Sequence, residues 1–190
     1  MILKIVDRNE EFIECVKKHF VKCTLVIPTC GDIFDFEAEA IVSPANSFGF
    51  MDGGIDMVYS KRFGWDLQTR LQDHIKRFYD FQELPVGEAL KIPIHDDPDF
   101  GWLISAPTMR VPKKLKDPVA IRLATRAALM CGYSMETILM PGMGTGVGQV
   151  EPDVAALQMY KGYMDFINPD KFPNNLREAM IDENPTHLYV

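Results

Sequence analysis

Glycine stands at every other position from 142 to 148 in the run Pro141-Gly142-Met143-Gly144-Thr145-Gly146-Val147-Gly148. Such a backbone can adopt positive φ, bare several N–H groups and let another molecule approach closely. Consecutive amides of this kind can cradle a diphosphate, and a tight structural turn is the alternative reading. Pro152 opens a helical pattern just beyond, with Gln149 to Glu151 intervening, so any help from the helix dipole is partial. A dinucleotide fingerprint requires G-x-G-x-x-G, but from Gly142 or Gly144 the sixth position is Val147 or Gln149. No Gly-Lys-Ser/Thr triplet occurs, which removes the P-loop pattern as well.

The elements that position this loop alternate between strand and helix. A short apolar run at 3–6 reads as a buried strand, and Asn9 caps a helix that continues to His19, with Phe12, Ile13, Val16 and Phe20 on one face. A strand at 24–27 completes a β-α-β unit, which calls for parallel pairing. A strand at 40–43 stops at Pro44, and an Asn- and Gly-rich loop runs from Asn46 to Asp56. Helices are expected at 57–63 and 66–78, and strands at 87–92 and 102–106. Another helix follows Pro118 to Cys131, stopped by Gly132. A strand at 137–140, a helix at 152–166 and a short helix near 175–181 follow, and 187–190 is a candidate edge strand. This order predicts an α/β sandwich with a mostly parallel sheet. Both glycine-rich loops follow strands, at the carboxyl edge where such folds bind ligands.

The chain has 190 residues, 47% of them apolar, which suits one domain. No segment approaches the roughly 20 apolar residues needed to cross a bilayer, and the N-terminus turns polar after a short apolar run, unlike a signal peptide. A cytoplasmic, soluble protein is expected. The net charge of −7 argues against direct binding of a nucleic-acid backbone. The one dense basic cluster, Arg110, Lys113, Lys114 and Lys116, reads as a solvated loop. A bound phosphate must then rely on backbone N–H groups. Cys15, Cys23, Cys30 and Cys131 form no C-x-x-C pair and the four histidines are scattered, so no metal is expected.

Three pieces in order resemble the macrodomain signature: Gly31-Asp32-Ile33; then 40–47, reading A-I-V-S-P-A-N-S; then Gly53-Gly54-Ile55-Asp56. The 141–148 run is similar to its second loop, and Gly87-Glu88-Ala89 and the strand at 103–106 fall between in the family's order. The resemblance covers residues 24–166. A strand–helix unit at 1–23 precedes it, its strand at 3–6 expected to take an outer place in the sheet without affecting the cleft, and a tail at 168–190 follows. It implies one domain over 1–190, a three-layer α/β/α sandwich with a mixed, mostly parallel central sheet, and ADP-ribose or an ADP-ribosylated macromolecule as partner, without cofactor. By the same resemblance Asp32 accepts from the adenine amine, with the Ile33 amide nearby, and Asn46 hydrogen-bonds the distal ribose. Gly53, Gly54 and Ile55 close one loop over the ligand, and Gly144, Thr145, Gly146, Val147 and Gly148 wrap its phosphates. Asp56, with Asn46, positions a water for attack at the anomeric carbon. Local roles compete with these: a turn aspartate at 32, a loop asparagine at 46, a helix N-terminal aspartate at 56.

The sequence departs from the family at several points. Ser43 and Pro44 stand where the signature has Asn and Ala, Asp52 shortens the three-glycine run, and Gly144 replaces a serine. Gly148 or Gln149 stands where an aromatic often covers the distal ribose; Phe48, Phe50 and Met51 are candidates for a substitute wall. Three functions follow: a hydrolase of ADP-ribosyl or O-acetyl-ADP-ribose bonds, a non-catalytic reader of ADP-ribosylated targets, or a sensor of another NAD-derived nucleotide.

Overall fold

The computed structural model describes residues 1–169 and 173–183. The apolar run at the N-terminus forms β1 (Ile2–Asp7), and Asn9 caps α1 (Glu10–His19) by accepting the Phe12 amide at 3.2 Å. Next come β2 (Val26–Cys30), β3 (Ala38–Ser43), α2 (Gly54–Phe63), α3 (Asp66–Phe78), β4 (Leu90–Pro93) and β5 (Phe100–Ser105). The remaining elements are α4 (Val119–Cys131), β6 (Thr137–Met140), α5 (Pro152–Ile167) and α6 (Leu176–Glu183). The predicted elements are present with shifted ends. β2 begins two residues later than the 24–27 reading, and α2 begins at Gly54 rather than at 57 because the glycine pair enters the helix. The candidate strand at 187–190 lies outside the described residues.

The six strands form one mixed sheet in the order β2-β1-β6-β3-β5-β4, parallel except for β4 against β5. β1 therefore lies inside the sheet, between β2 and β6, which corrects the expected outer place. Its buried Leu3 and Ile5 pack on one face and Val6 on the other, the two-sided burial that an inner parallel strand requires. Pro28 sits in β2 and Pro93 in β4, both edge strands, where a missing N–H is tolerated.

One face is covered by α1, α4 and α5, with Phe12, Ile13, Ala124, Ala128, Ala155 and Met159 in its core. The other is covered by α2 and α3 through Tyr59, Phe63, Leu67, Leu71 and Ile75. Arg122 of α4 pairs with Asp165 of α5 and Asp182 of α6, and the buried Lys161 donates to the Asp182 carbonyl at 3.2 Å. Within the described residues no helix is long and apolar enough to cross a membrane.

The approach of α4 to α5 depends on Gly162. A Cβ there would lie 2.5 Å from the Arg122 carbonyl oxygen and 2.9 Å from Thr125 Cβ. Gly162→Ala should cost about 1–3 kcal/mol through overpacking, outweighing a helix-propensity gain of about 1 kcal/mol. Urea unfolding measures this; an unchanged or higher midpoint would show that the two helices can part freely.

Candidate functional site

Strands β1, β3, β5 and β6 run parallel, so the loops after them meet at one edge of the sheet. The loop after β3 is fixed by the side chain of Asn46. Its Oδ1 accepts the amides of Phe48 and Phe50, both at 3.2 Å, and its Nδ2 donates to the Phe50 carbonyl at 2.8 Å. Met51 is held in the same way, its amide donating to Gln68 Oε1 and its carbonyl accepting from Ser60 Oγ. The loop then enters α2 through Gly53 and Gly54, the latter at φ +56°, with no side chain capping the helix. The first bond back is from the Met57 amide to Gly53, leaving the amides of Gly54, Ile55 and Asp56 at an uncapped positive helix end.

The loop after β6 is anchored at its start, where the Gly142 amide donates to Asp7 Oδ2 at 3.2 Å. It closes through Val150 to the Gly144 carbonyl and Gln149 to the Gly146 carbonyl, and Leu115 of the β5–α4 segment donates to the Gly148 carbonyl. The amides of residues 144–148 donate to no acceptor among the described residues. Two of the glycines are sterically required. Gly144 has φ +74° with Ile121 2.7 Å from where a Cβ would sit, and a Cβ on Gly148 would lie 2.4 Å from the Gly144 carbonyl oxygen.

The two loops face each other across a cleft of about 410 Å³. It adjoins a cavity of about 220 Å³ lined by Arg8, Gly31, Asp32, Ile33 and Val58. Asp7, Gly54, Ile55 and Pro141 belong to both. Asp7 uses one carboxylate oxygen for the Asn9 amide and the other for Gly142, so the end of β1 ties the cavities together. The expectation that the place of the N-terminal strand does not affect the cleft is corrected by these contacts. Among the described residues the cleft lining holds the carboxylates Asp7, Asp52 and Asp56 and no Lys, Arg or His.

Every glycine-loop residue singled out in the sequence, with Asn46 and Asp56, comes to the cleft, whereas Asp32 and Ile33 come to the adjoining cavity. Asp32 caps a short 3-10 turn by accepting the Phe34 amide and pairs with Arg8; these contacts hold its carboxyl below the usual range. Asn46 spends its oxygen and one N–H on its own loop, so one amide hydrogen remains for a ligand. Of the three candidates for a substitute wall, Phe50 lines the cleft. Phe48 instead lies under the Arg110 guanidinium, 4.8 Å from its ring centre, and Met51 is buried. Arg110 itself pairs with Glu83, while Lys113, Lys114 and Lys116 are exposed.

Asp56 lies in the first turn of α2, 7% exposed. The hydroxyl of Ser43 donates to its Oδ1, Oδ2 has no hydrogen-bond partner among the described residues, and Asp56 is part of the cleft lining. Burial pushes the carboxyl up to about 7, and the Ser43 hydrogen bond opposes that shift. The sequence marked Ser43 only as a departure; that it sits beside Asp56 follows from the fold. Asp7, Arg8 and Asn9, together with Thr108, Met109 and Pro112 of the β5–α4 segment, were not singled out as site residues. Their types carry no motif, and only the strand order brings them here. Among the described residues no group of three or more His, Cys, Asp or Glu is placed to hold a metal ion.

A family model described as Macro domain matches residues 42–159. An uncharacterized protein of Aquifex aeolicus is 34% identical over 138 residues, covering 72% of this chain and 79% of its own. A mutant Oceanobacillus iheyensis macrodomain solved with ADPR superposes with a TM-score of 0.63 at 20% identity, over 82% of this chain and 88% of that one. The macrodomain of Mycobacterium tuberculosis DarG gives a TM-score of 0.61 at 17% identity, over 72% and 88%. At these identities the two structures establish the fold. Asp7, Arg8 and Asp32 lie outside the span of the family model.

The raised Asp56 carboxyl has a consequence for stability. Its folded value exceeds the unfolded one, so its contribution is present below about 4 and is lost as pH rises through about 7. Asp56→Asn should therefore raise the melting temperature at pH 8 and change it much less at pH 5. Melts at the two pH values test this, and an equal shift at both would mean that Asp56 ionises freely in the folded protein.

Proposed function

Because the chain belongs to the Macro domain family, we propose that the cleft binds ADP-ribose or a close derivative and that Asp56 hydrolyses its distal bond. The observation that carries the binding reading is that amides unpaired among the described residues, from 144–148 and the start of α2, belong to the lining of one cleft whose described residues include no cation. Fixed N–H groups and a helix end are suited to a diphosphate. Adenine would occupy the cavity at Asp32, its exocyclic amine donating to that carboxylate, and the distal ribose would lie against Asn46 and Phe50.

The place of Asp56 in the cleft lining, with Oδ2 unpartnered among the described residues, motivates the hydrolytic step. The ionised carboxylate takes a proton from a water whose oxygen bonds to the anomeric carbon. The bond from that carbon to the target atom breaks with its electron pair on the target, which then takes up a proton. A base with a value near 7 is suited to this work at neutral pH. The occupied side chain of Asn46 and the absence of an aromatic after the second loop favour the second reading, a reader that binds without turnover. A pocket retuned to another NAD-derived nucleotide would show itself in competition titrations.

Calorimetric titration with ADP-ribose and AMP tests the pocket, and Asp32→Ala should weaken both about tenfold, the loss of one charge-assisted hydrogen bond. No binding of either ligand would remove the assignment. For turnover, Asp56→Ala should reduce the rate of ADP-ribose release from a modified protein by about a hundredfold or more. The wild-type rate should climb with pH and level off above about 7. Binding with no wild-type turnover would leave the reader.

A further inference from the structure

Phe50 and Asp52 line the cleft and not the Asp32 cavity, and this end of the cleft carries a negative charge that binding a diphosphate does not require. Of the lining carboxylates, Asp7 spends both oxygens on backbone amides, and Asp56 is buried against Ser43. Asp52 is exposed and has no hydrogen bond or ion pair among the described residues. Beside it stands Phe50, 49% exposed and also in the lining. The backbone that leads to Asp52 is held at Phe50 and Met51. Asn46 fixes the backbone of Phe50 on both sides, and Gln68 and Ser60 fix Met51, whose side chain is buried between them in sequence. The clamped loop thus presents an aromatic face and a carboxylate two residues apart.

We propose that this end receives a flat cation on the ligand's second ribose, a pyridinium or a guanidinium, stacked on Phe50 and balanced by Asp52. An aromatic face attracts a cation through its quadrupole, and a nearby carboxylate adds to that attraction. The neighbouring cations do not compete for the role. Arg110 is paired with Glu83 and lies over Phe48, and Lys113, Lys114 and Lys116 follow Pro112 outside the lining. The inference rests on the ADP-ribose reading: the amides take the diphosphate and the far end takes the opposite charge.

The oxidised and reduced forms of nicotinamide adenine dinucleotide share their adenosine diphosphate ribose part and differ by one positive charge on the ring. Equilibrium titration at low salt should show the oxidised form binding about five- to tenfold tighter. The ratio should fall toward one in Asp52→Asn and drop partway in Phe50→Leu. Because the readout is a ratio within one protein, a general loss of affinity in a variant does not mimic the result. A peptide ADP-ribosylated on arginine, competed against the oxidised dinucleotide, separates the two sources of the cation; tighter binding of either supports the proposal. Equal binding of the two dinucleotides by the wild type, or a ratio unchanged by Asp52→Asn, overturns it. Binding of ADP-ribose with exclusion of both dinucleotides also overturns it, because the far end would then be closed. Failure of the wild type to bind ADP-ribose removes the ligand reading itself and this inference with it.

Discussion

A row of backbone N–H groups can stay unpaired only if the chain that carries them has no freedom to fold back on itself. This constraint governs the loop after β6. The loop is held from outside by the Asp7 carboxylate at Gly142 and by the Leu115 amide at Gly148, and from within by Val150 and Gln149. The close passage of Gly148 over the Gly144 carbonyl leaves no room for a side chain. A similar division of labour holds the opposite loop, where Asn46, Gln68 and Ser60 secure the backbone up to Met51 and the helix end beyond is left uncapped. In both loops the polar side chains serve the backbone, and the backbone serves the cleft.

Burial sets the chemistry at Asp56. The same turn of α2 that offers free amides also buries this carboxyl, where the Ser43 hydroxyl donates to it. Desolvation disfavours its charge, and the neighbouring helix end and hydroxyl favour it. Tyr59, one turn further on, is buried with its hydroxyl on the Val42 carbonyl, and burial together with Asp56 and Asp7 keeps it protonated.

Much of this was legible in the sequence. Apolar runs and caps located the strands and helices, because both signals are local: Asn9 before α1 and Gly132 after α4 act within a few residues of themselves. The glycine spacing at 142–148 and the Asn46-to-Asp56 loop were legible because backbone demands select residue types directly. Strand order was not. Whether β1 lies at the edge or inside depends on pairing with β6, more than 130 residues away in sequence, and the N-terminal run alone is compatible with either place. The error at β1 carried the omission of Asp7, Arg8 and Asn9 with it. The role of Asn46 was ambiguous for another reason: an amide can serve a ligand or its own loop with the same atoms, and only the geometry of Phe50 decides which bonds it has already made.

The prolines of β2 and β4 have a consequence for how copies of the chain meet. A sheet grows when a bare edge offers a continuous row of N–H and C=O groups to a newcomer. Pro28 interrupts that row on one outer strand and Pro93 ends it on the other. An incoming strand would find a donor missing at each margin, so the same residues that end the sheet discourage its extension into a fibre.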